Sequence, residues 1–174
     1  MEHSLWQYFV DHQPGWLVSA AKFLSFVGDE TVLLPLTLLI ALWALYRRRT
    51  TLASLAPFAA MVCTYVVVGV LKVLINRSRP PEANRLVEVA SASMPSGHAA
   101  YAACLAMVTW LLVSDRPDRT RLRLLAVVLA GAMGASRVVL SVHWASDVLV
   151  GWLVGDLVAL GVVTLLGRRL QSNR

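Results

Sequence analysis

Apolar residues dominate five stretches of the chain, and polar residues gather between them. The runs cover about Thr31–Tyr46, Leu52–Ile75, Gly97–Val113, Leu122–Leu140 and Trp144–Leu166. Each is close to the ~20 residues that a helix needs to cross a bilayer. The pattern predicts an all-α protein, a polytopic transmembrane helical bundle with five firm spans. Residues 4–27 are also apolar, but Gln7, Asp11, His12, Gln13, Pro14 and Lys22 interrupt them, and Trp6, Tyr8 and Trp16 are interfacial in character. Two short helices lying in the headgroup region and broken near Pro14 are expected here. The alternative is a crossing by this segment, which would raise the count to six. A single domain, 1–174, follows: an interfacial segment 1–30, a bundle 31–167 and a basic tail 168–174. The first residues lack a basic stretch leading into an apolar run, so no cleavable signal peptide is expected.

The connections carry the charge. Arg47, Arg48 and Arg49 follow the first span; Arg116, Arg119, Arg121 and Arg123 follow the third; Arg168, Arg169 and Arg174 follow the fifth. The opposite side holds Lys22, Lys72, Arg77, Arg79, Arg85 and Arg137. By the positive-inside rule the first side is cytoplasmic. The polar loop 76–95 and the turn near Ser141 then face the periplasm or the exterior.

Composition agrees with this reading. Hydrophobic residues make up 57% of the chain and charged ones 15%, against about 25% charged in a soluble domain. The net charge of +6 would suggest nucleic acid in a soluble protein. Here the cations sit beside apolar spans, so topology explains them and no nucleic-acid partner is expected. Cys63 and Cys104 fall inside apolar runs as packing residues and form no metal motif. Gly151 and Gly155 are a small-xxx-small pair suited to close helix packing, with dimerisation as the alternative. Asp156, also in the last span, is read as a packing or cross-helix hydrogen-bonding group, with a catalytic role as the alternative.

Polar side chains placed at the ends of such spans need a reason. His143 and Asp147 are four apart and share one helix face, so the carboxylate can take a hydrogen bond from the imidazole. That leaves the other ring nitrogen with a lone pair, a nucleophile suited to phosphorus. The same pair could equally be a polar helix end. Ser96-Gly97-His98 opens the third span: serine is a favoured N-cap, glycine allows close approach, and helix N-terminal amides point at anions. Alone, it could be an ordinary capped start. Lys72 can snorkel to the interface. Arg79 precedes a Pro-Pro break, and Arg137 sits in an apolar stretch where an unpaired charge is costly. Arginine's fork suits phosphate oxygens and lysine supplies a point charge. Surface solvation explains Arg77 and Arg85 equally well. What none of the separate explanations covers is the gathering of all these groups on one side of the membrane.

The pattern Lys72-x6-Arg79-Pro80, Pro95-Ser96-Gly97-His98 and Ser136-Arg137-x5-His143-x3-Asp147 resembles the three-part signature of the type 2 phosphatidic acid phosphatase (PAP2) superfamily. It spans residues 72–147. The resemblance implies that His143 is the nucleophile, forming a phosphohistidine, and that Asp147 orients it. His98 would protonate the leaving group and then activate water. Lys72, Arg79, Arg137, Ser96 and the Gly97 amide would bind the phosphoryl oxygens, without metal or other cofactor. The expected partner is a membrane lipid phosphate, a polyprenyl phosphate or diphosphate in the first place. Phosphatidylglycerophosphate, phosphatidate and phosphoribosylated polyprenyl phosphate are the alternatives. A monomer or weak homo-oligomer is expected. Two other classes compete: a phosphotransferase using the same phosphohistidine, and a membrane transporter with His98, His143 and Asp147 on a metal. The second leaves the three cations unexplained.

Overall fold

This computed structural model describes residues 2–47, 52–112 and 117–172. Seven α-helices follow one another: α1 (Glu2–Asp11), α2 (Gly15–Val27), α3 (Glu30–Tyr46), α4 (Leu52–Ile75), α5 (Gly97–Leu112), α6 (Arg119–Val139) and α7 (Ala145–Ser172). Among the described residues there is no strand. A short 3₁₀ turn, Glu82–Asn84, lies in the long connection between α4 and α5.

The five predicted spans correspond to α3–α7. Of these, α4, α6 and α7 are each long and apolar enough to cross a membrane. With 16 residues, α5 is roughly 24 Å long, less than the ~30 Å hydrocarbon core. It occupies the middle of the bundle, with nine residues buried from Gly97 to Val108. The helix α3 reaches spanning length only together with α2, in a pair bent by 45°. The bend is encoded locally. Asp29 adopts extended backbone and its carboxylate accepts the Thr31 amide, which starts α3 as a new helix.

The chain breaks between α1 and α2 around Pro14, as expected. Helix α1 rests on the start of α7, with the rings of His3 and Trp6 against Trp144. Helix α2 is tied to the bundle more closely than a headgroup helix need be. Its Ala21, Leu17 and Val18 pack on Val139, Leu140 and Val142 at the end of α6. Trp16, Phe23 and Phe26 point outward.

Large apolar side chains cover the outside, including Leu39, Val66, Leu124, Val128, Leu153 and Leu157, while the interior is rich in alanine. In lipid, association depends on close packing rather than on hiding apolar area from water, and small residues permit it. The pair α5 and α7 shows this most clearly. A Cβ on Gly151 would lie 2.6 Å from the Ser96 carbonyl oxygen, and one on Gly155 would collide with the Ala100 carbonyl. The small-xxx-small pair thus serves a contact inside the chain. Cys104 is buried and Cys63 exposed, both as free thiols.

At the end of the bundle away from the motifs, Arg47 stacks on Trp43 and Arg123 on Trp110. Arg123 also donates to the Trp110 carbonyl. Such aromatic and basic pairs suit a membrane interface. Arg48, Arg49, Arg116 and Arg174 lie outside the described residues.

Candidate active site

The site is assembled at one end of the bundle, where α4 and α6 finish and α5 and α7 begin. Helix α4 stops at Ile75 because Asn76 turns into the left-handed region (φ 43°), which asparagine tolerates better than most residues. Lys72, one turn earlier, donates from Nζ to the Ala92 carbonyl at 2.5 Å. The connection then folds back over the bundle. Ser93 donates its amide to Arg77, and Leu86 donates its amide to Leu140. Arg79 grips this connection: Nε donates to the Ser91 carbonyl at 2.7 Å, and Nη1 to the Val142 carbonyl at 2.7 Å.

Helix α5 begins against α7, with the Ser96 amide donating to the Asp147 carbonyl at 3.0 Å. The Ser96 hydroxyl is fully buried and has no hydrogen-bond partner. Arg137, also buried, donates from Nη1 to the Ser25 hydroxyl, while its Nε has no partner. Two residues after α6 ends, Ser141 takes φ 56°. This rarely populated conformation turns the chain so that the amides of Val142 and His143 both bond to the Arg137 carbonyl.

The hydrogen bonds of His143 fix its tautomer. Nη1 of Arg79 lies 3.1 Å from Nε2 of His143. A guanidinium only donates, so Nε2 holds a lone pair and the ring hydrogen is on Nδ1. Nδ1 faces Oδ2 of Asp147 at 3.5 Å, longer than a formed hydrogen bond. Burial, with the Arg79 charge beside it and the approach of Asp147 opposing, pushes the imidazole well below its ordinary pKa of 6.5. His143 is therefore neutral at physiological pH. Arg79 is drawn down by its own burial to about 10 and stays cationic.

Asp147 is fully buried and accepts three strong bonds: from Ser93 Oγ at 2.5 Å and the Trp144 amide at 2.8 Å on Oδ2, and from Arg77 Nη1 at 2.7 Å on Oδ1. Arg77 continues to Ser146 Oγ at 2.6 Å and to Glu2 of α1 at 2.5 Å. The Ser146 hydroxyl and the Arg77 charge hold the Glu2 carboxyl below its usual range.

Lys72, Arg79, Gly97, His98, Arg137 and His143 line one cavity of about 310 Å³. Ser96 and Asp147 lie buried behind it. All eight residues singled out from the sequence thus meet at one place. Asp156, half-buried after Gly155, does not line the cavity. Arg77 differs from the surface-solvation reading, because it is part of the Asp147 network. Arg85 bonds to the Pro80 carbonyl instead. Ser25, Asp29 and Ser93 also reach the site without having been anticipated. Asp29 carried a helix-capping signal, Asp-x-Thr before an apolar run, but nothing in the sequence linked it to His98. Asp29, Glu30 and His98 bring one potential ligand atom each within 4.8 Å of one another. That is not the two-histidine, one-carboxylate set weighed above, and Lys72 and Arg137 on the same cavity oppose a cation there.

Comparison with known proteins agrees with this arrangement. The model of the PAP2 superfamily matches residues 53–171. Phosphatidylglycerophosphatase B of Bacillus subtilis is 33% identical over 145 residues, 80% of this chain and 70% of that protein. Decaprenylphosphoryl-5-phosphoribose phosphatase of Mycobacterium tuberculosis is 30% identical over 165 residues, 93% of this chain and 87% of that protein. The crystal structure of a transmembrane PAP2-type phosphatidylglycerolphosphate phosphatase from Bacillus subtilis superposes with a TM-score of 0.83 at 30% identity, covering 94% of this chain and 83% of that one. The chain belongs to the PAP2 superfamily. It is a membrane phosphatase with that family's all-helical fold.

Replacing Arg77 removes the charge on the far side of Asp147 without touching the cavity wall. A hydrogen bond to a charged group contributes about 1.5–3 kcal/mol, and each 1.36 kcal/mol is tenfold in rate. Arg77→Gln is expected to lower kcat roughly 10- to 100-fold with KM little changed, whereas Arg85→Gln leaves both near wild type. Steady-state phosphate release in detergent checks this.

Proposed function

We propose that this protein hydrolyses a polyprenyl phosphate or diphosphate at the outer face of the membrane, through a phosphohistidine and without a metal ion. The observation that carries the chemistry is the lone pair on Nε2 of a neutral, buried His143, which accepts from Arg79 Nη1 at the wall of a cavity lined by Lys72, Arg79 and Arg137 and is freed for attack when that guanidinium turns to a phosphoryl oxygen. Three cations with few anionic partners suit a phosphoryl group. The partnerless Ser96 hydroxyl and Arg137 Nε suit its oxygens.

In the first step Nε2 of His143 forms a bond to phosphorus as the bond to the lipid oxygen breaks. His98 gives its proton to that leaving oxygen. Attack places a positive charge on the His143 ring, which the buried Asp147 carboxylate offsets. The cations stabilise charge on the equatorial oxygens. In the second step His98 takes a proton from water, the oxygen bonds to phosphorus, and the N–P bond breaks to release phosphate. All these groups come from one chain, so a monomer suffices. The outer-face location rests on the arginines at the opposite end of the bundle.

A lipid tail has a route. A groove of about 780 Å³ runs along α4 past Tyr65, Val66, Gly69, Val70 and Val73, and it shares Glu30, Lys72, Ser91 and Tyr101 with the cavity. Its wall is formed by side chains that otherwise face lipid. The apolar groove offers more surface to a tail than the cavity beneath the connection 76–96 offers to a head group, which favours a tail-dominated substrate. The Mycobacterium relative supports a polyprenyl tail. A phosphatidylglycerophosphate substrate is the second reading, favoured by the likeness to the Bacillus enzyme.

A panel of lipid phosphates and diphosphates, assayed with excess chelator, tests the reaction. Wild type is expected to release phosphate and His143→Ala to lose at least about a thousandfold, in line with the loss of a catalytic nucleophile. Undiminished release by His143→Ala would sink the nucleophile assignment.

The depressed pKa of His143 sets the acid limb of kcat/KM. Its neutral form reacts, so activity is retained below the ordinary histidine range and falls only as pH drops through the lowered value. Corrected for the substrate's own ionisation near pH 6, the acid limb is expected below pH 6.5. A limb at or above that value counts against a neutral, buried nucleophile.

A side chain at Gly69 would enter the groove, since a Cβ there meets nothing within 4 Å. Gly69→Phe is expected to raise KM for a long-chain prenyl phosphate several-fold. Hydrolysis of a short, water-soluble phosphate ester should be unaffected. Equal effects on both would remove the tail from the groove.

A further inference from the structure

The bend between α2 and α3 presses two polar groups against the ring of His98. The Ser25 carbonyl lies 3.0 Å from Nε2 of His98. A carbonyl only accepts, so Nε2 carries a hydrogen. Asp29 places Oδ2 3.6 Å from the same nitrogen. Its other oxygen is occupied by helix α3: Oδ1 accepts from the Thr31 amide at 2.9 Å and from the Thr31 hydroxyl at 2.6 Å. Thr31 keeps this carboxylate in one orientation. The bend is keyed to the phosphate cavity as well, because the Ser25 hydroxyl accepts from Arg137.

A general acid must begin the reaction protonated, and the surroundings of His98 are divided on that point. Burial of the ring disfavours a positive charge most, and Arg137 from α6, Lys72 from α4 and Arg79 from the following connection, which line the same cavity, add to it. His143 from the α6–α7 turn and Tyr101 from α5 itself line it as neutral groups. The opposing negative charges are both at the start of α3, Asp29 and Glu30, and Asp29 makes the direct approach to the ring.

We infer that Asp29 is a positioning residue for His98: it holds the Nε2 side of the imidazole together with the Ser25 carbonyl, leaving Nδ1 to carry the proton to the leaving oxygen. The inference rests on the assignment of His98 as general acid. As the P–O bond breaks, the Nδ1 proton passes to the leaving oxygen and the ring becomes neutral. When water later attacks, Nδ1 takes the proton back. Asp29 favours the cationic ring before the first transfer and after the second.

The test uses leaving groups of different basicity. Asp29→Asn removes the charge but keeps a good helix cap. It is assayed beside wild type and His98→Ala with an alkyl phosphate, whose leaving oxygen needs a proton, and with 2,4-dinitrophenyl phosphate, whose leaving oxygen does not. Asp29→Asn is expected to lose roughly tenfold on the alkyl ester, a fraction of the 10²–10⁴ that a general acid supplies. Its alkaline limb of kcat/KM should move to lower pH. For the dinitrophenyl ester kcat/KM, which covers only the steps up to phosphohistidine formation, should stay close to wild type, which also shows that the variant is folded. Equal losses on both esters, or an unmoved alkaline limb, overturn the role of Asp29. If His98→Ala discriminates between the esters and Asp29→Asn does not, this inference alone falls. If His98→Ala fails to discriminate, the general-acid assignment falls and takes this inference with it.

Discussion

The Ser96 amide donates to the Asp147 carbonyl, and the contact is possible only because α5 and α7 meet backbone to backbone. One turn into α7, Gly151 faces the Ser96 carbonyl; one turn further, Gly155 faces the Ala100 carbonyl. Each approach is too close for a Cβ. The two helix starts that bear Ser96-Gly97-His98 and His143–Asp147 are therefore fixed side by side by packing deep in the bundle. In lipid this is an effective way to hold a site, because apolar burial adds little between helices and close van der Waals packing must substitute for it. The geometry of a polar site is set by residues that carry no polar side chain.

Once the helix starts are fixed, the electrostatics follow from the arginines and lysine. Arg79 is spread over carbonyls of the connections and Arg137 bonds to the Ser25 hydroxyl of α2, neither of them to a carboxylate. The buried carboxylate, Asp147, is already engaged by Arg77, Ser93 and Trp144. The cavity thus keeps an excess of positive charge at the edge of a low-dielectric region. Such an arrangement costs stability in the free protein and makes an arriving phosphate favourable, since the dipoles and charges are in place before charge develops in the transition state. Burial, together with the same excess, keeps His143 neutral, as the proposed nucleophile requires, and opposes the proton that His98 would carry as the proposed general acid. The carboxylates at the α2–α3 bend are the local counterweight.

Much of this was legible in the sequence because each functional side chain is tied to a strong local signal. Apolar runs of spanning length located α3–α7, and the Ser-Gly start of α5 placed Ser96 and His98 at a helix end; the i, i+4 spacing paired His143 with Asp147, but His143 lies in the turn before α7 and not on its face, because Ser141 turns the chain there. Arg77 was not legible as a site residue, since its distinction from Arg85 lies in which of two neighbouring arginines points inward, a property of how the connection 76–96 folds. Ser25 and Asp29 were further from reach. They arrive through the bend between α2 and α3, and an N-terminal segment with polar interruptions reads as interfacial when its packing on α6 is unknown. The short α5 likewise reads as one span among five, although its length makes sense only for a helix sheltered by the others.

The arrangement separates recognition into two parts that meet at Lys72. On one side of that residue the cavity offers charge and hydrogen-bond donors in fixed positions, which suits any phosphoryl group and says little about what it is attached to. On the other side the α4 groove offers valines, a tyrosine and an open glycine, a surface without directional contacts. A hydrophobic wall distinguishes tails mainly by length and shape, at about 0.8 kcal/mol per buried methylene, while donors in fixed positions discriminate by geometry. On the proposed reading, selectivity among lipid phosphates comes chiefly from how far a tail fills the groove and how much head group fits beneath the connection 76–96. The first is set by small residues such as Gly69, and the second by the way Arg79 and Ser93 hold that connection down. A change at Gly69 can alter the fit of a tail without touching the histidines, whereas Arg79 and Ser93 bond to His143 and Asp147, so the head-group side cannot be altered through them without disturbing the site.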